Sequence, residues 1–362
     1  MSSPKPASNP TSPKETASPV SNSAEITTFP EDEAPLEVAD PITLDDTIGD
    51  GSSDYGSSIG SDTTSLASSV LNYTYENGRR YHAFREGKYF MPNDETEQDR
   101  LDMTHHLWCV RLNGELHLAP LPTNPQRVLD LGTGTGIWAI DFADMYPSAE
   151  VTGVDLSPIQ PRWVPPNVKF EVDDLEDEWL WEPNSFDYIH SRAMVGSIRN
   201  WTKYMEQAYN ALRPGGYIEF QETDLNLFSD DDTDKKALAA TEYITNVRNA
   251  GNILPTRFDV APELSTLVQA AGFEEITERK IKQPLGTWAK GKKMKEMGSW
   301  TLVIMESGLE AYGLKIFTKV LGWEKERFMG FLEEVKADIR NKDYHMYSYS
   351  HVVYARKPID VE

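Results

Sequence analysis

Residues 128–136 read V-L-D-L-G-T-G-T-G, and no other stretch constrains the chain as strongly. A short apolar run, Val128 to Leu131, leads into three glycines alternating with threonines. The apolar Ile137-Trp138-Ala139-Ile140 follows. That order predicts a strand, a tight turn and a helix. Glycine lets a backbone turn sharply and lets a ligand approach its N–H groups closely. At a helix N-terminus those groups are unpaired, and the helix dipole favours an anionic or polar ligand. The stretch predicts a nucleotide-type pocket.

The surroundings decide which nucleotide. Dinucleotide sites usually carry G-x-G-x-x-G with an acid about 20 residues further on. Here the spacing is G-x-G-x-G, at Gly132, Gly134 and Gly136, and Asp130 stands just before it. An acid at that point sits badly against a pyrophosphate but suits the ammonium of a methionine moiety. The next predicted strand, Glu150 to Leu156, carries Asp155, which can accept both hydroxyls of a ribose. A third, Val168 to Val172, leads into Asp173-Asp174-Leu175, placed to meet an adenine edge. Three acids at successive strand ends fit S-adenosylmethionine better than NAD.

These motifs resemble the class I S-adenosylmethionine-dependent methyltransferases over roughly residues 125–225, through D-L-G-T-G-T-G, G-V-D-L-S, D-D-L, F-D-Y-I-H and L-R-P-G-G-Y. Within that superfamily the chain is similar to the fungal LaeA-like methyltransferases, regulators of secondary metabolism. That closer likeness rests on Asn77 to Asp102, on G-I-W-A-I and D-L-S-P-I-Q-P, and on the terminal Y-A-R-K-P. The resemblance assigns cofactor contacts to Asp130, Gly132, Thr133, Gly134, Gly136, Asp155, Leu156, Asp174 and Leu175. Ser191 and Arg192, after the fourth strand, fall near the methionine end. It further implies assembly with velvet-type regulatory proteins and a nuclear or cytoplasmic location. A dedicated natural-product O- or N-methyltransferase, and a non-catalytic scaffold keeping the same fold, are the alternatives.

Alternating strands and helices predict an α/β, doubly wound, Rossmann-like sheet with ligands outside the strand carboxyl ends. The expected units are a disordered acidic Ser/Thr/Pro-rich tail (1–70), a helical lid segment (71–124) and the cofactor-binding α/β domain (125–287). A helical insert shaping the acceptor site (288–340) and a final strand with the C-terminus (341–362) complete the chain. The tail is assigned to disorder because Phe29 and Tyr55 are its only aromatics, too little apolar surface to offset ordering entropy. A helix is predicted over Asp94 to Leu112, capped by Asn93 or Asp94. The net charge of −23 argues against direct nucleic-acid binding. No stretch reaches the 18 or so apolar residues of a membrane span, and the single cysteine, Cys109, fits a reducing compartment.

Methyl transfer asks mainly for alignment, worth roughly 7–11 kcal/mol by analogy with intramolecular reactions. A base is needed only when the acceptor must lose a proton. His190, His82 and Glu222 are the candidates, with His105 and His106 further options. Tyr73, Tyr75 and Tyr81 are candidates to line the methyl-transfer end. No Cys cluster or H-E-x-x-H motif is present, so no metal is expected. The methyl acceptor, small molecule or protein, is not legible.

Overall fold

The computed structural model describes residues 24–39, 73–76, 78–82, 91–254 and 256–359. At its centre four apolar runs form parallel strands: β4 (Arg127–Leu131), β5 (Glu150–Asp155), β6 (Val168–Val172) and β7 (Phe186–Arg192). In chain order they follow β1 (Ile26–Thr27), the hairpin β2 (Thr74–Glu76) and β3 (Arg79–Tyr81), and helix α1 (Glu95–Arg111). Helix α2 (Ile137–Met145) connects β4 to β5. Helix α3 (Trp201–Ala211) leads directly into β8 (Leu212–Thr223). Then come α4 (Leu238–Ala250), α5 (Leu264–Ala270), β9 (Glu274–Pro284), α6 (Lys292–Lys315), α7 (Lys325–Arg340) and β10 (Tyr347–Arg356).

The eight-stranded sheet runs β1-β9-β10-β8-β7-β4-β5-β6, with β10 antiparallel to both neighbours. Strand order reverses at β4, which pairs β5 on one side and β7 on the other. A crevice therefore opens at the carboxyl ends of these strands. The alternation of side chains along β4 divides the core between two faces. Val128 packs with Trp138 and Phe142 of α2, whereas Leu129 packs with Trp201 and Tyr204 of α3 and with Leu264 of α5. A separate apolar cluster joins α4, α6 and α7 through Tyr243, Leu309, Phe328 and Leu332. No helix among the described residues is long and apolar enough to cross a membrane.

The expectation for residues 1–70 needs correction over 24–39. Ile26 and Thr27 add a short parallel strand beside Ile276 and Thr277 of β9. The Asp32 carboxylate takes both Nε and Nη2 of Arg279 at 2.7 Å, and Arg279 lies over the Phe29 ring at 4.3 Å. Val38 bridges Ala289, and Glu37 pairs with Lys290 at 2.7 Å. A few anchoring side chains thus dock a segment whose composition is polar. The remainder of the expected tail lies outside the described residues. Removing residues 1–39 is expected to lower the melting temperature by several degrees in differential scanning calorimetry. An unchanged melt would mean that this segment does not dock in solution.

Candidate functional site

The carboxyl ends of β4 to β7 enclose a cavity of about 110 Å³. Gly132, Gly134, Asp155, Leu156, Asp174, Leu175 and Arg192 border it, each of them anticipated from the sequence. Gly132 has φ 71°, and a Cβ there would strike Met194 Sδ; Gly136 has φ 81°, and a Cβ there would strike the Phe170 ring. The turn is held from below and from the side. Half-buried Asp155 accepts the N–H of Gly134 and the N–H of Ser157, both at 2.9 Å. The Gln160 amide donates to the carbonyl oxygens of Gly134 and Ser157 at 2.6 and 2.9 Å. The Thr135 hydroxyl donates to Asp102 of α1 at 2.7 Å, tying the helix to the turn.

Four anticipated contacts do not border this cavity. Asp130 is 2% exposed; its Oδ1 faces Nδ1 of His190 at 2.7 Å and its Oδ2 accepts the Thr133 hydroxyl at 2.6 Å. With both oxygens engaged, Asp130 and Thr133 support the turn from beneath. Gly136 caps α2, and buried Ser191 bonds the Tyr204 hydroxyl at 3.0 Å. Pro92, Asn93, Leu101, Ser157 and Met194 do border the cavity and were missed. Asn93 and Leu101 belong to the predicted lid, and Asn93 precedes the Asp94 cap, whose carboxylate accepts the Glu97 N–H at 3.1 Å.

A second, larger cavity of about 240 Å³ adjoins the first, with Leu101 and Ala193 in the walls of both. Its lining comes from one face of α1 (Arg100, Thr104, Trp108, Arg111), from Tyr243 and Val247 of α4, and from Ile304, Met305 and Leu309 of α6. Residues 222–227, at and beyond the end of β8, close its floor. Ala193 adopts φ 56°, uncommon for a side-chain-bearing residue, at the point where the cavities meet.

The three base candidates separate on placement. His190 lies within β7, near its carboxyl end. It is fully buried, stacked on Trp138 at 3.7 Å with rings 6° apart, and borders neither cavity. Burial lowers its pKa, so a neutral imidazole donates Nδ1–H to Asp130. His82 is buried and likewise borders neither. Tyr73, Tyr75 and Tyr81 are also absent from both walls; Tyr75 is exposed, and Tyr81 packs under Lys315. Glu222 alone borders the larger cavity, with its oxygens accepting the N–H groups of Met194 at 2.6 Å and Val195 at 3.3 Å. Burial pushes its pKa up to about 8.

His105 serves Arg192. A guanidinium only donates, so the 3.1 Å contact from Arg192 Nη2 makes Nδ1 the acceptor and leaves the proton on Nε2, 2.9 Å from Asp141. Burial, the largest effect, lowers the His105 pKa and keeps the ring neutral. His106 meets the Trp300 ring edge at 4.8 Å.

Glu222 gives a pH prediction whose sign follows from linkage. The native carboxyl holds its proton up to about pH 8, whereas the unfolded one releases it near 4.5. Between those values the native state binds more protons, so stability falls as pH rises. Buried His105, His117 and His190, with lowered pKa values, act oppositely, while Glu219, which burial pushes up to about 7, acts in the same direction as Glu222. Between roughly pH 7 and 8.5 stability should therefore drop by about 1 kcal/mol. Denaturant titrations of wild type and Glu222→Gln check this, and the variant should show a flatter profile.

Comparison with known proteins agrees with the geometry. A family model described as a methyltransferase domain matches residues 103–278. Methyltransferase pytC of Aspergillus terreus is 42% identical over 299 residues, covering 82% of this chain and 92% of its own. The secondary metabolism regulator LAE1 of Cochliobolus heterostrophus is 38% identical, covering 78% and 94%. Protein-methionine methyltransferase laeA of Emericella nidulans is 39% identical, covering 78% and 76%. Identity of this degree over most of both chains places the protein in the S-adenosylmethionine-dependent methyltransferase family of the pytC and laeA proteins.

Proposed function

We propose that the protein methylates a small, largely apolar acceptor in fungal secondary metabolism. One observation carries this: the glycine-turn cavity opens beside a larger apolar cavity, with Leu101 and Ala193 bordering both. The bound cofactor supplies an electrophilic methyl group with a good leaving group. The chain's own residues do the rest. Asp155 is placed for the ribose diol and Asp174 for the adenine side, while Arg192, oriented by His105, presents a cation to the methionine carboxylate. Leu101, Trp108 and Leu309 exclude water from the acceptor and hold it in line, the main source of acceleration in such a reaction. For an acceptor that carries an O–H or N–H, the ionised fraction of Glu222 takes the proton, a fraction that grows as the pH rises toward about 8.

A regulatory role is the second reading, favoured by relatives named secondary metabolism regulators and one named protein-methionine methyltransferase. In that case the protein acts in the nucleus, in company with velvet-type proteins, and the acceptor is a protein side chain. Incubation with methyl-labelled cofactor and fungal extract, followed by separation of small molecules from protein, discriminates the two. Label in small organic products supports the first reading; label confined to protein supports the second.

Calorimetry is expected to show binding of S-adenosylhomocysteine and none of NAD. Asp155→Ala should weaken that binding at least about tenfold, since hydrogen bonds to charged groups contribute about 1.5–3 kcal/mol. Because Asp155 also holds the Gly134 N–H, the same change should lower the melting temperature without ligand. An unchanged dissociation constant would remove the ribose role.

A further inference from the structure

Arg111, at the last turn of α1, is the least explained charge in the molecule. It is 4% exposed and borders the larger cavity, yet it forms no ion pair with a carboxylate among the described residues. Its Nη2 donates to the Gln283 side-chain oxygen, and its guanidinium lies 4.3 Å from the Trp108 ring centroid. Nε and Nη1 are buried and have no hydrogen-bond partner among the described residues. A guanidinium carries five N–H donors, and leaving buried ones unmet is costly. Burial lowers its pKa only to about 9, so the group is cationic at neutral pH.

The acids on the cavity wall do not answer it. Glu222 is turned to the Met194 and Val195 N–H groups, and Asp224 accepts from the backbone and side chain of Asn226 at 2.9 and 2.8 Å. Arg100, the other cation on this wall, is paired with Glu97 at 2.6 Å. The neighbours of Arg111 are themselves arranged around it. Ser350 also donates to the Gln283 oxygen at 2.9 Å, and Lys293 donates to the Arg111 carbonyl at 3.1 Å. This end of the cavity is polar and anchored, whereas the walls between it and Leu101 are mostly apolar.

Building on the acceptor cavity assigned above, we infer that the acceptor is an elongated apolar carboxylic acid whose carboxylate is bound by Arg111, far from the methyl-transfer end. The helix sets the length. Leu101 borders the cofactor cavity, and Arg111 lies ten residues further along α1, about 15 Å at 1.5 Å per residue. Side chains on a helix lean toward its N-terminus, so the span between the reacting atom and the carboxylate is on the order of 10–15 Å. A planar guanidinium with N–H groups unpartnered among the described residues matches a carboxylate in both charge and shape.

Decanoate and 1-decanol, titrated by calorimetry into the full-length protein saturated with S-adenosylhomocysteine, test this assignment. Wild type is expected to bind decanoate at least about tenfold more tightly than decanol, a difference of one charge-assisted contact. Arg111→Met should erase that preference by weakening decanoate, while Arg111→Lys should keep part of it. A melt without ligand separates a binding role from a structural one. Removing an uncompensated buried charge should leave the melting temperature of Arg111→Met unchanged or raised. Equal affinities for acid and alcohol in wild type, a preference that persists in Arg111→Met, or no binding of either probe would overturn the inference. The S-adenosylhomocysteine titration is read separately. Its failure with an intact acid preference would remove methyl transfer and leave the acid site standing.

Discussion

Asp130 is the contact on which the rest of the site rests. It lies on β4, where strand order reverses, and its two oxygens join β7, distant in sequence, to the glycine turn that directly follows β4. One oxygen holds His190 on β7, and the other holds Thr133 in the glycine turn. A buried carboxylate is tolerated only when its lone pairs are met, so this arrangement is rigid by necessity. His190 in turn lies flat on Trp138, which locks the first turn of α2 to the end of β7. The turn above uses its own N–H groups inside the protein: Gly132 and Thr133 donate to the Val154 carbonyl, Gly136 to the Thr133 carbonyl and Gly134 to Asp155 of β5, so the turn serves as a fixed cavity wall.

Features encoded by neighbouring residues were legible in the sequence. The strand, turn and helix from Arg127 to Met145 follow from an apolar run, three glycines and a helical pattern. Asp94 announces α1 through its cap. The roles of strand-end acids were legible only in part, because strand-end position alone does not say which way a side chain faces. Asp155 is the last residue of β5 and reaches the cavity; Asp130 is one residue short of the end of β4 and faces inward. The same difficulty separates His190 from Glu222. Only the nonlocal partners, Trp138 for one and the Met194–Val195 backbone for the other, decide which borders the larger cavity. Residues 24–39 were misjudged because composition averaged over a long tail conceals four or five anchoring side chains.

The two cavities differ in how they are specified. The cofactor cavity comes largely from one continuous region, the strand ends and loops from Gly132 to Ile198, with a contribution from Pro92, Asn93 and Leu101. The larger cavity is assembled from α1, α4, α6 and the ends of β8 to β10, which lie far apart in the chain. Short motifs identify the first and are silent on the second. Arg111 illustrates the consequence. At the end of a helix, one turn beyond Trp108, an arginine reads as an ordinary favourable charge near the C-terminal dipole. Its burial becomes visible only once β9 and β10 bring Gln283 and Ser350 against it.

Electrostatics at long range and at short range then point in opposite directions. A chain of net charge −23 repels anions as a whole, which by itself would disfavour an acidic ligand. Exposed charges, however, are screened beyond about 8–10 Å at ordinary ionic strength. Arg111 is buried and away from bulk water, where its field is screened far less. An anion that reaches the cavity therefore experiences mainly the local guanidinium, and one that stays outside experiences mainly the acidic surface. Such a division disfavours acids held only at the surface and retains those whose apolar body fills the cavity. Affinity then depends on having both the charge and the correct length.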